Sequence, residues 1–132
     1  NTMLQERLVA SDVFGFPSVR EFGGGAVLEA MALGLAPVVV DYGGPAELVT
    51  ETTGFRVPLG TREEIIARVR VVLGKLAAEP ARARAIGERA RARVFSLFTW
   101  DHKARQTLAV YSWVRGEGPR PDFGAPFPDG VA

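Results

Sequence analysis

The chain has 132 residues and a net charge of +1, with 47% of its residues apolar and 23% charged, a balance that fits one soluble globular domain with one core. It contains no cysteine, so disulfides, a thiolate nucleophile and cysteine-ligated zinc are excluded. No window reaches the roughly 18 apolar residues of a membrane helix, and no basic start leads into an apolar signal core; a cytoplasmic location is expected, with membrane contact at most peripheral.

The first residue is Asn, and "MLQERLV" already reads as part of a helix, so the chain has the look of a piece of a longer polypeptide. "DVFGFP" (Asp12–Pro17) is a short β-like run closed by proline. "AVLEAMALG" follows with helical spacing and ends on Gly34, a residue suited to a C-cap. "APVVVD" (Ala36–Asp41) is a second strand, and its three consecutive valines suggest burial on both faces, as in a parallel sheet. Strand, helix and strand with short connections make a βαβ unit. "GGPAELV" gives a turn and a short helix with Pro45 near its start, and "GFRVP" (Gly54–Pro58) is a third strand.

Helices occupy the rest. Thr61 and Glu64 form a capping box, ahead of an apolar stripe of Ile65, Ile66, Val69, Val72, Leu73 and Leu76. A second helix is expected from Pro80 to about Phe98, with Ile86, Ala90, Val94 and Leu97 inward. Thr99 is the expected N-cap of a third, running to about Val114. The Pro- and Gly-rich residues 116–132 are expected to be extended or disordered. The fold class is therefore α/β: a partial doubly wound, Rossmann-like domain with about three parallel strands and C-terminal helices. Domains of this class usually hold about five or six strands, so half of one is absent here.

The stretch "REFGGGAVLEA" carries the chemistry. It sits where the C-terminal end of a strand feeds a helix, the place where ligands of open α/β sheets bind. A helix start offers unpaired N–H groups and the positive end of the dipole, and glycines let an anion approach the backbone closely. A phosphate or diphosphate is the natural guest. Glu29 lies a turn into the helix, about 6–8 Å beyond that anion at 1.5 Å per residue, and Glu21 lies in the loop before it. The two carboxylates flank an anion site rather than forming an acid–base pair. Ionised carboxylates accept hydroxyl hydrogens, so a ligand with a diphosphate between two hydroxyl-rich rings fits, as in a nucleotide sugar.

Taken in order, "FPSVRE", the Glu21-x7-Glu29 segment "REFGGGAVLEAMALGLAPVVV", "GGPAELV", "TGFRVP" and the late "FTWD…Y" resemble the family 4 retaining glycosyltransferases of GT-B fold. The resemblance covers about residues 1–115, as the second half of that family's C-terminal donor-binding domain. It implies that Glu21 is the candidate catalytic residue, contacting hydroxyls of the donor sugar, and that Phe22, Gly23, Gly24 and Gly25 meet the sugar and diphosphate. Glu29 would accept the ribose hydroxyls. It further implies a nucleoside-diphosphate sugar as substrate, front-side substitution, no metal or other cofactor, and an acceptor held by an N-terminal domain upstream. No Asp-x-Asp occurs in the chain. The family's basic phosphate clamp also lies upstream, so the chain alone is not expected to be active. In the family's strand order 3-2-1-4-5-6 the chain holds strands 4, 5 and 6. "DVFGFP" should then present an open edge, prone to self-association or to pairing with another chain.

Two other readings stand beside this one. The first is a non-catalytic binding domain derived from the same fold. The second is a dinucleotide-binding unit, favoured by Asp41 at a strand end but opposed by Leu28, which stands where the third fingerprint glycine belongs. Residues 67–132 carry six acids and twelve bases, and Arg82, Arg84, Arg89, Arg91 and Arg93 concentrate that charge on one helix. Without interleaved aromatics the run reads as a solvated face rather than a nucleic-acid surface. His102, the sole histidine, reads as a surface residue, and Trp100, Tyr111 and Trp113 as packing residues, within this chain or against a missing domain.

Overall fold

A computed structural model describes residues 2–123. The elements run α1 (Thr2–Val9), β1 (Val13–Phe16), α2 (Gly25–Ala32), β2 (Ala36–Val40), α3 (Gly43–Leu48), β3 (Phe55–Val57), α4 (Arg62–Ala78), α5 (Pro80–Leu97) and α6 (Trp100–Val114). Two compact units divide between Phe95 and Ser96.

The first unit is built on one parallel sheet in the order β1-β2-β3. Val13 faces Ala36 and Phe16 faces Val39 across the first pair, and Val38 faces Phe55 across the second. The central strand is buried along its whole length, as its run of valines predicts for a strand covered on both sides. Side chains alternate along it. Ala36, Val38 and Val40 join Val13, Phe55, Val57 and the α4 residues Ile65, Val69, Val72 and Leu76 in one core cluster. Pro37 and Val39 are turned to the other face, and both α2 and α3 contact this strand. Val27, Ala30 and Met31 of α2 and Pro45 and Leu48 of α3 are buried. Each fully buried Val, Leu or Met contributes about 1.5–3 kcal/mol.

β1 is half-buried. The Ala36 N–H donates to the Asp12 carbonyl (2.9 Å), which sets the alternation of the ladder. Phe14 and Phe16 therefore turn their backbone polar groups toward β2, and Val13 and Gly15 turn theirs to the other side. No strand pairs with that side among the described residues.

α4 opens with the expected capping box. The Thr61 hydroxyl accepts the Glu64 N–H (3.3 Å), and a Glu64 carboxylate oxygen accepts the Thr61 N–H (2.8 Å). The apolar stripe behind it is wider than the core it meets. Leu76 is buried, but Ile66 and Leu73 are 43% and 40% exposed and line, with Pro17, Ile65, Val69 and Ala77, an open groove of about 580 Å³.

α5 lies across the N-terminal ends of all three strands. Arg84 pairs with Asp12 just before β1 (3.1 Å). Gly87 packs so tightly before β2 that a Cβ there would collide with the Gly34 carbonyl oxygen. Arg89 donates to the Thr52 carbonyl ahead of β3 (2.7 Å), and Arg93 to the carbonyl of Leu48 (3.0 Å). Arg82 pairs with Glu79, and Arg91 stacks over Phe95. Arg82, Arg84, Arg89 and Arg91 are exposed, as the reading of a solvated face expects, and the run adds to that face a set of structural ties. Ile86, Ala90 and Val94 point inward as expected, whereas Leu97 is exposed.

In the second unit Thr99 caps α6 through its hydroxyl, which accepts the His102 N–H (3.2 Å). No residue of α6 is buried. Trp100 is 90% exposed, and Tyr111 and Trp113 are exposed too, so these aromatics are not core residues of this chain. Of the tail expected from Gly116, residues 116–123 contain turns but no helix or strand, and residues 124–132 lie outside the described residues.

Candidate functional site

The C-terminal ends of β1 and β2 carry two glycine turns that lock together. The first follows β1 and closes on Gly24, the N-cap of α2, in the left-handed region at φ 68°. That conformation disfavours a side chain, and a Cβ there would also lie 2.9 Å from the Leu48 Cδ1 atom. The second follows β2 and runs through Tyr42 into Gly43 and Gly44, the first two residues of α3. Gly43 adopts φ 62° with the Glu21 carbonyl close by, and a Cβ on Gly44 would collide with the Phe22 carbonyl. Gly43 and Gly44 thus shape the candidate site, where the sequence alone reads them as a turn and as part of the "GGPAELV" motif. The signal was present as two glycines directly after a strand end.

Glu21 is half-buried, and one of its carboxylate oxygens, Oε1, accepts the N–H groups of Gly24 (3.0 Å) and Gly23 (3.3 Å). Two of the three glycine amides expected to meet an anion are thus held by the loop's own glutamate. The next two donors, Gly25 and Ala26 at the start of α2, have no hydrogen-bond acceptor among the described residues. They lie at the positive end of the helix dipole. Glu29 is exposed one turn further on, with no ion pair or hydrogen bond to its carboxylate among the described residues. Phe22, at 99% exposure, stands beside the loop with its ring in solvent. The structure brings Glu21, Phe22, Gly23, Gly24, Gly25 and Glu29 into one loop and helix start on a single sheet end.

Asp41 follows β2, and its carboxylate pairs with Arg56 of β3 (3.5 Å). His102 lies in the second unit. Among the described residues no group of three or more His, Cys, Asp or Glu side chains is placed to hold a metal ion, and no helix is long and apolar enough to cross a membrane.

Residues 1–93 match the family described as "Glycosyl transferases group 1". The chain belongs to this family. It is 40% identical over 114 residues to the alpha-maltose-1-phosphate synthase of Mycolicibacterium smegmatis, a match covering 84% of this chain and 30% of that protein. It is 34% identical over 120 residues to the glycogen synthase of Deinococcus deserti, covering 86% of this chain and 25% of the relative. Among solved structures it is similar to the sucrose-phosphate synthase of Thermosynechococcus elongatus. The TM-score is 0.69 at 30% identity, over 88% of this chain and 28% of that one. The chain therefore spans about 30% or less of the length of these glycosyltransferases, and its parallel sheet is the Rossmann-like part of a GT-B architecture. Family membership replaces the dinucleotide-binding alternative.

Proposed function

We propose that the chain is the donor-binding part of a glycosyltransferase that moves a sugar from a nucleoside-diphosphate sugar to an acceptor with retention at the anomeric carbon. The observation that carries the proposal is the pair of unengaged N–H groups at Gly25 and Ala26, flanked by Glu21 and Glu29. A diphosphate oxygen at those amides gains two donors and the helix dipole. Glu29, four residues into the helix from Gly25 and so about 6 Å along its axis, is suited to accept ribose hydroxyls. The second carboxylate oxygen of Glu21 is suited to a hexose hydroxyl on the other side, and Phe22 offers an apolar ring edge beside it. Negative charge growing on the departing diphosphate is met here by fixed dipoles. The basic clamp that the resemblance implies lies outside this segment, as does the acceptor site, and no metal is required in this scheme.

Calorimetric titration of UDP-, GDP- and ADP-sugars into the full-length polypeptide tests the reading. Glu29→Ala removes hydrogen bonds to a charged acceptor, worth about 1.5–3 kcal/mol each. Every donor should weaken by roughly tenfold or more, alike for all three bases, because the ribose is common to them. Unchanged affinity would remove Glu29 from the site. A non-catalytic binding role for the same fold would instead show donor binding without transfer.

A further inference from the structure

We infer that Gly44 is a positioning residue for Glu21, acting through one peptide plane; its functional consequence rests on the donor-site reading above. The Phe22–Gly23 peptide is trans and planar, so its C=O and N–H point in opposite directions. The carbonyl is pressed onto Gly44, where an added Cβ would collide with the oxygen and stand 2.9 Å from the carbonyl carbon. The N–H points the other way and donates to Glu21 Oε1 (3.3 Å). Holding one end of this peptide fixes the other.

The requirement at position 44 is one of approach, since Gly44 is not among the glycines with positive φ. Two neighbours extend the mould. Gly43 sits against the Glu21 carbonyl, and Leu48 Cδ1 lies beneath Gly24, whose N–H is the second donor to the same carboxylate oxygen. Gly43, Gly44 and Leu48, the first two residues and the last of α3, thus line three consecutive peptide units of the donor loop, and Glu21 Oε1 is anchored by two of them. Its other oxygen, Oε2, has no hydrogen bond among the described residues and is presented in a fixed direction. A methyl group at position 44 forces the Phe22 carbonyl aside, turns the Gly23 N–H with it and releases the carboxylate.

The test is a double-mutant cycle in the full-length enzyme. Gly44→Ala should lower kcat by roughly tenfold to a hundredfold, the scale of a displaced catalytic group. Affinity for the nucleoside diphosphate without sugar should stay near that of the unmodified protein, because Gly25, Ala26 and Glu29 are untouched. Combined with Glu21→Gln, which keeps one carbonyl acceptor, Gly44→Ala should cause no further loss, since both act through one carboxylate. Additive losses would overturn the inference. Leu48→Ala, which relaxes the same loop without a collision, should show the same non-additivity and replaces Gly44→Ala if that variant does not fold. In the ligand-free protein the Gly23 and Gly24 amide resonances should move in Gly44→Ala and stay in Gly74→Ala, where an added Cβ meets nothing within 4 Å; an unmoved Gly23 resonance also overturns it. Absence of donor binding in the unmodified protein would count against the donor reading alone, leaving the resonance test to decide the coupling.

Discussion

The two ends of the sheet are built from opposite materials. At the N-terminal ends of the strands, α5 runs across the sheet and fastens it through arginine side chains and the close approach of Gly87 to Gly34. At the C-terminal ends no helix crosses the strands among the described residues. Two glycine turns meet there, carbonyl against backbone, and leave N–H groups and carboxylates facing solvent. Long cationic side chains can reach carbonyls many residues away and hold a fold together. Glycines give nothing to a core, but they let a ligand meet the main chain. Stability and recognition are thus placed at opposite ends of the same three strands.

The comparison can be broken most severely at Gly87. A side chain there collides with the Gly34 carbonyl, so Gly87→Val should cost about 3 kcal/mol or more, in the range of severe overpacking. Urea unfolding with unchanged m-value would measure it, and a variant as stable as the parent sequence would show that α5 is not a fastening. Arg89→Ala is the milder version. It removes one charge-assisted bond to the Thr52 carbonyl at an exposed site, so a loss of at most about 1 kcal/mol is expected. Donor affinity should not follow, because the tie lies at the end away from Glu21 and Glu29; a fall in affinity as large as that of Glu29→Ala would mean the two ends are not separate.

The smallest effect is expected at the capping box of α4. Hydrogen bonds from Thr61, backbone first and hydroxyl second, together with the charge of Arg68, hold the Glu64 carboxyl below its ordinary value. A group whose folded value is depressed contributes stability that is present above its unfolded value and lost as pH falls through the folded one. Thr61→Ala removes the hydroxyl contribution, so the stability lost by acidification should shrink slightly, visible as a smaller drop in melting temperature below the usual carboxylate range. An acid profile identical to that of the unsubstituted chain would remove Glu64 from that role.

Local patterns in the sequence reached far. Thr61-x-x-Glu64 specified its own hydrogen bonds, the valine run specified a central strand, and Glu21-x7-Glu29 pointed to the loop and helix start now seen at one sheet end. What escaped was long in sequence separation. Nothing near Arg84 indicates that its partner is Asp12, and nothing near Gly44 indicates that Phe22 rests on it. The capture of the Gly23 and Gly24 amides by Glu21 depends on a loop conformation that spacing alone does not define. The six apolar positions of α4 could be read as a stripe, but not that Ile66 and Leu73 would face a groove. Periodicity reports which side chains avoid water, not which neighbour covers them.

The arginine ties carry a consequence for how such a chain can drift. Arg84 needs an acid at position 12, so that tie depends on two side chains of the chain at once. Arg89 ends on the peptide oxygen of Thr52, and every amino acid supplies that oxygen. A substitution at position 52 therefore leaves the acceptor in place, and the tie depends on the arginine side chain alone.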